Sequence, residues 1–236
     1  MQSRTFFHQH PTFGTAKRTK SSSHWEKSIY YWWFEYLRRN EGYKKTCTQG
    51  GLGQFSELYK DFGDIHSLDF KTWWGDQDRG AELFAEPKSE RLVEKVTTKL
   101  LDSEIENSEL LIVKFPLNLS KRYLKQQLNK LLDKHHKGKR GHRYAKKSKA
   151  KYVVTGQPNI AALRLMLQIH DYRHANPDLT LWEIARDLKL FRRENMPLDS
   201  DTPKIRSDKK NTMAATVSRY LRKSSILIAN VALGKF

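Results

Sequence analysis

Three histidines stand close together, His135, His136 and His142, and imidazole is the commonest metal ligand among side chains. They lack company, because Cys47 is the single thiol and neither a Cys-x-x-Cys nor a His-Glu-x-x-His spacing occurs. Asp61, Asp64 and Asp69 read as solvated helix ends, since no partner constellation of oxygen ligands accompanies them. A phosphate-cradling Gly-x-x-x-x-Gly-Lys-Ser/Thr loop, a dinucleotide fingerprint and a Gly-x-Ser-x-Gly elbow are all missing from the sequence. From these residues we expect no metal, no cofactor and no enzyme.

A denser titratable group follows at His170-Asp171-Tyr172-Arg173-His174, with Tyr220 downstream. It resembles the His-x-x-Arg-His box of tyrosine recombinases. That resemblance implies cationic donors around a scissile phosphate and Tyr220 as nucleophile. The sequence departs from the family pattern: residues 134–151 hold no recognisable upstream arginine box, and Tyr220 comes late. Taken by themselves the residues read as helix-end histidines beside Pro177, so a strand-transfer enzyme stands as the remote alternative.

Charge is the stronger signal. The chain has 236 residues and a formal net charge of +18. Residues 1–119 hold 17 Lys+Arg and 17 Asp+Glu, whereas residues 120–236 hold 27 and 9, so the whole excess lies in the second half. Such asymmetry predicts a polyanion partner for that half, nucleic acid rather than a membrane surface, with duplex DNA favoured over RNA. The densest stretch follows Ser120, and Lys137, Lys139, Arg140, Arg143, Lys146 and Lys147 are expected to track a phosphate backbone from a mobile loop. A lone cysteine, no apolar leader and no window of ~20 apolar residues point to a cytoplasmic protein without a membrane span.

The spacing predicts a mainly α fold with a small β element, in two small domains joined by a basic linker. Residues 1–24 form the expected flexible basic arm. In 25–118, an aromatic-rich helical domain that offers a surface for a protein partner, Tyr30, Trp33, Phe34 and Leu37 predict a helix near 27–41. Phe55, Leu58, Tyr59 and Phe62 predict another at 54–62, and Phe70, Trp73 and Trp74 a third. Rows of aromatics at helical spacing read as core rather than as stacking platforms. Runs at 93–98 and 110–115 are compatible with a hairpin. Residues 119–155 combine a helix carrying Leu124, Leu128, Leu131 and Leu132 with the basic linker. In 156–236, Asn159 caps a helix, Thr180 and Glu183 match a capping box, 191–208 form a loop and a long helix closes the chain.

Two phrases carry resemblances. Tyr31-Trp32-Trp33-Phe34-Glu35-Tyr36-Leu37-Arg38-Arg39-Asn40-Glu41-Gly42-Tyr43, with Trp73-Trp74-Gly75 and Leu83-Phe84-Ala85-Glu86-Pro87, resembles the transcriptional regulator-like domain of proteobacterial mobile elements. It covers about sixty residues and implies a DNA-binding regulator or accessory factor. In the last helix, Ala214, Val217, Leu221, Ser224, Ile228 and Val231 make an apolar stripe. The run Thr216-Val217-Ser218-Arg219-Tyr220-Leu221-Arg222-Lys223 resembles the recognition helix of helix-turn-helix regulators, and residues 180–190 resemble the helix before it. About twenty residues separate the two, where that motif has a tight turn. The resemblance implies sequence-directed DNA binding, with Thr216, Ser218 and Arg219 at base edges and Arg222 and Lys223 on phosphates, joined by Lys209 and Lys210. A subunit that holds RNA or single-stranded DNA in a nucleoprotein complex is the alternative, because phosphate affinity looks alike in both.

Overall fold

Polar residues with extended backbones stand before the main helices and set where they start. The computed structural model describes residues 4–15, 18–75, 79–86, 111–135, 148 and 150–236. Its packing divides into two units, Met1–Pro87 with Ser148–Phe236, and Lys88–Lys147. The larger unit begins with strands β1 (Thr5–Phe6), β2 (Gly14–Thr15) and β3 (Arg18–Thr19). Helices α1 (Ser22–Trp25), α2 (Ile29–Arg38), α3 (Glu41–Thr48), α4 (Ser56–Phe62), α5 (Phe70–Gly75) and α6 (Arg79–Phe84) follow, then strand β4 (Ala85–Glu86). Helix α7 (Lys121–His135) lies in the smaller unit, and α8 (Ile160–Ala175), α9 (Leu181–Asp187) and α10 (Pro203–Ala232) complete the larger one. The architecture is mainly helical, with two short antiparallel pairings, β1 with β4 and β2 with β3.

Ser28 starts α2 by accepting the Tyr30 amide on its Oγ, and Asn40 starts α3 by accepting the Tyr43 amide at 2.8 Å. On α2 the residues Tyr30, Trp32, Trp33, Phe34, Tyr36 and Leu37 are all buried. The aromatic rows are therefore core. Trp33 stacks with the rings of Phe62 and Phe236 and meets Phe84 edge-on at 5.2 Å. Two buried polar handles find backbone partners: Trp73 Nε1 donates to the Phe62 carbonyl at 2.8 Å, and Tyr43 Oη donates to the Gly63 carbonyl at 2.7 Å. Gly80 is required by this packing, because a Cβ there would sit 2.8 Å from the Trp73 ring.

The aromatic core does not stop with the N-terminal residues. Leu163, Met166 and Leu167 of α8 and Ile228, Val231 and Ala232 of α10 belong to the same buried cluster, so residues from the segments 25–118 and 156–236 share one interior. Tyr36 ties them, its hydroxyl donating to the Leu163 carbonyl at 3.0 Å. A second cluster holds Ile169, Ile184, Ala185, Met213 and Val217. Helix α8 feeds both clusters, and so does α10, whose 30 residues extend about 45 Å.

Within the expected arm, β1 pairs with β4 in the register Thr5 to Glu86, and Phe6 and Phe13 pack on the aromatic core. Arg18 and Lys20 are exposed. Of the expected hairpin, 93–98 and residue 110 lie outside the described residues, and 111–115 carry no regular element. The loop expected over 191–208 is shorter: Thr202 caps α10 and Pro203 opens it, because a proline at the first helical position loses no hydrogen bond. In the smaller unit Ser120 Oγ accepts the Tyr123 amide at the start of α7, on which Leu124, Leu128 and Leu131 are half-buried while Tyr123 and Leu132 are exposed. Among the described residues no helix is long and apolar enough to cross a membrane.

Candidate nucleic-acid interface

Helices α8, α9 and α10 are set by local chemistry before they pack. Asn159 Oδ1 accepts the Ala162 amide at 3.1 Å and starts α8. The Glu183 carboxylate accepts from both the hydroxyl and the amide of Thr180, at 2.5 and 2.8 Å. These bonds start α9 and hold Glu183 below the usual carboxylate range. Between them residues 176–180 make a short turn, fastened by Asn176 Nδ2 on the Tyr172 carbonyl at 3.0 Å and by Arg173 on the Leu179 carbonyl.

The three helices meet in the second cluster, where Ile169 of α8, Ile184 and Ala185 of α9, and Met213 and Val217 of α10 are buried. The phrases at 180–190 and 216–223 are thus joined through a core despite the residues between them. That connection is pinned to α10 by Asp201. Its carboxylate accepts the Leu198 amide at 2.8 Å and Lys209 Nζ at 2.9 Å, which together lower its pKa. Arg206 adds a hydrogen bond to the Asp199 carbonyl at 3.0 Å.

Packing one side of α10 decides what the other side shows. Val217, Ser224, Ile228 and Val231 of the expected stripe are buried, Ala214 and Leu221 are half-buried, and Met213 joins them. On the outward side Ala215, Ser218, Arg219, Arg222 and Ile226 are exposed at steps that keep them on one line along the helix. Lys223 is exposed beside that line. Arg219 extends its guanidinium carbon to 5.8 Å from the Tyr220 ring centroid, and Tyr220 itself packs against both clusters. Thr216 spends its hydroxyl proton on the Thr212 carbonyl of its own helix at 3.0 Å.

Two of the expected contacts are already engaged. Lys209 is held by Asp201, and Lys210 places its ammonium 4.2 Å from the centre of the Trp182 ring. Arg186 approaches the same ring at 5.2 Å and also reaches Asp187 at 2.8 Å. Sequence reasoning missed this cluster. Arg186 is four residues after Trp182 and so shares its face of α9, a readable signal, but nothing in the sequence announces Lys210 as its neighbour. Lys137, Lys139, Arg140, Arg143, Lys146 and Lys147 lie outside the described residues.

No group of three or more His, Cys, Asp or Glu is placed to hold a metal ion among the described residues. No family model, curated protein or solved structure matches the chain.

Proposed function

We propose that this chain is a sequence-directed DNA-binding protein, a transcriptional regulator or accessory factor of a bacterial mobile element, that reads duplex with α10. The observation that carries the reading is the exposed line of Ser218, Arg219 and Arg222 on a helix whose opposite side is fixed in two cores. A helix held in this way presents side chains to a major groove without losing the order of its own backbone. Thr216, Ser218 and Arg219 approach base edges, Arg222 and Lys223 take phosphates, and the basic stretch 137–147 tracks the phosphate backbone. Lys209 and Lys210 reach a phosphate by exchanging Asp201 and the Trp182 face for it. The assignment to a mobile element rests on the resemblance of residues 31–43, 73–75 and 83–87 to the regulator-like domain.

The test is a competition among duplex DNA, single-stranded DNA and RNA at one salt concentration, repeated over a salt series. Duplex is the expected winner, and its affinity falls with salt by about 0.9 in log–log slope for each phosphate contact. Replacing Lys137, Lys139, Arg140, Arg143, Lys146 and Lys147 by Gln weakens all duplexes alike and flattens that slope. If single strands or RNA compete better than duplex, the protein is instead a subunit of a nucleoprotein complex.

A further inference from the structure

We propose that His170 and His174 form a two-imidazole site for a divalent ion of the nickel, copper and zinc class on the last turns of α8. The pair stands four residues apart on one helix, so both rings project from the same face, one above the other. Their centroids are 4.4 Å apart and the planes are inclined by 44°. At that separation one ion can bond a nitrogen of each ring at the usual ~2.0–2.1 Å.

The neighbouring carboxylate selects the ligating nitrogen. His170 Nδ1 lies 3.4 Å from Asp171 Oδ1, a long hydrogen bond that places the ring proton on Nδ1 and leaves the Nε2 lone pair for an ion. Asp171 is itself fixed, because Arg39 holds both of its oxygens, at 3.0 and 2.7 Å. A carboxylate that orients a histidine while a third group orients the carboxylate is the outer shell that metal-binding imidazoles use. The pair lies at the surface end of α8. His174 is exposed, and the side chain of His170 keeps 13% of its surface.

Two nitrogen donors favour imidazole-seeking ions over magnesium or calcium, which take oxygen. The remaining coordination positions fall to water, which makes the site open and exchangeable rather than structural. A bound ion would clamp one turn of α8 to the next, directly beside the Arg39 bridge to α2. This inference does not depend on the DNA-binding reading.

The experiment is a calorimetric titration of the full chain with nickel chloride, in a background where His135, His136 and His142 are Gln so that those residues contribute nothing. One ion per chain is expected, with copper tighter than nickel and no heat from magnesium. His174→Ala, at an exposed position, weakens nickel binding at least tenfold without lowering the metal-free unfolding temperature. Asp171→Asn weakens it by about tenfold through the orientation of His170. The site is refuted if His174→Ala binds nickel as tightly as its parent, or if the parent binds none at about 1 mM free ion. Equal affinity in Asp171→Asn would refute the role given to the carboxylate.

Discussion

Arg39 holds Asp171 in a side-on pair, Nε to Oδ1 at 3.0 Å and Nη2 to Oδ2 at 2.7 Å, across 132 residues of sequence. Arg39 caps the end of α2 and also donates to the Glu35 carbonyl at 2.8 Å and to its carboxylate, so the guanidinium is fixed before Asp171 meets it. Partial burial pushes the Asp171 carboxyl up, but hydrogen bonds from His170 and Arg39 outweigh it and hold the group at about 2.

A depressed carboxylate stabilises the fold at pH values above its unfolded pKa, near 3.9, and the benefit is lost as pH falls through the folded value. Asp171 is 43% exposed, so solvent screening limits the pair to at most about 1 kcal/mol. Asp171→Asn should therefore lower stability to urea at pH 7 by up to that amount, and the difference should shrink between pH 4 and pH 2. A difference that stays constant over that range would mean the loss is not electrostatic.

Trp33 is fully buried, and its replacement by Ala should cost about 3–5 kcal/mol, read from denaturant midpoints. Trp33→Phe should cost much less. Its indole Nε1 is buried without a hydrogen-bond partner, so Phe removes an unsatisfied donor along with part of the ring. Equal losses from the two variants would contradict the unsatisfied state of that nitrogen.

On α10, Arg219→Ala should cost about 1–3 kcal/mol on the preferred duplex and relax selectivity at one base pair. Arg222→Ala and Lys223→Ala should weaken all duplexes alike. Val217→Asp puts a charge into the second core and should unfold the helix, abolishing both kinds of binding. Selection from a randomised duplex pool measures all four. If Arg219→Ala keeps its fold, affinity and selectivity, α10 is not the reading helix.

Lys209 gives a contrasting variant. Because it fastens the 188–202 connection through Asp201, Lys209→Gln should speed limited proteolysis in that connection and reduce DNA affinity less than Arg222→Gln does. Unchanged proteolysis together with an equal loss of affinity would mean that Lys209 serves DNA first.

What the sequence made legible was local. Asn159, and Thr180 with Glu183, mark helix starts because each supplies the acceptor its own first turn needs. Helix α3 was hidden, since Tyr43, Thr46 and Cys47 are its buried residues and Lys44 and Lys45 interrupt them. Helix α6 was hidden by Gly80, which reads as a breaker until the Trp73 ring is seen to need the space. Periodicity identifies an apolar face but not its partner, so nothing showed that α8 and α10 would enter the same interior as the Trp33 neighbourhood. The outward line of α10 was readable for the same reason that its stripe was. The engagement of Lys209 and Lys210 was not, because it depends on where Asp201 and Trp182 arrive in space.

The span of α10 across both interiors makes it a lever. Val231 is anchored among the aromatics and Val217 beside α9, while Arg219 lies 12 residues, or about 18 Å, from Val231. Pivoting the rod by about 5° at the Val231 end sweeps the Arg219 backbone through about 1.5 Å. Hydrogen bonds to a base edge tolerate only a few tenths of an ångström about their ordinary length, so under the proposed reading the aromatic interior would set the aim of Arg219 from about three helical turns away.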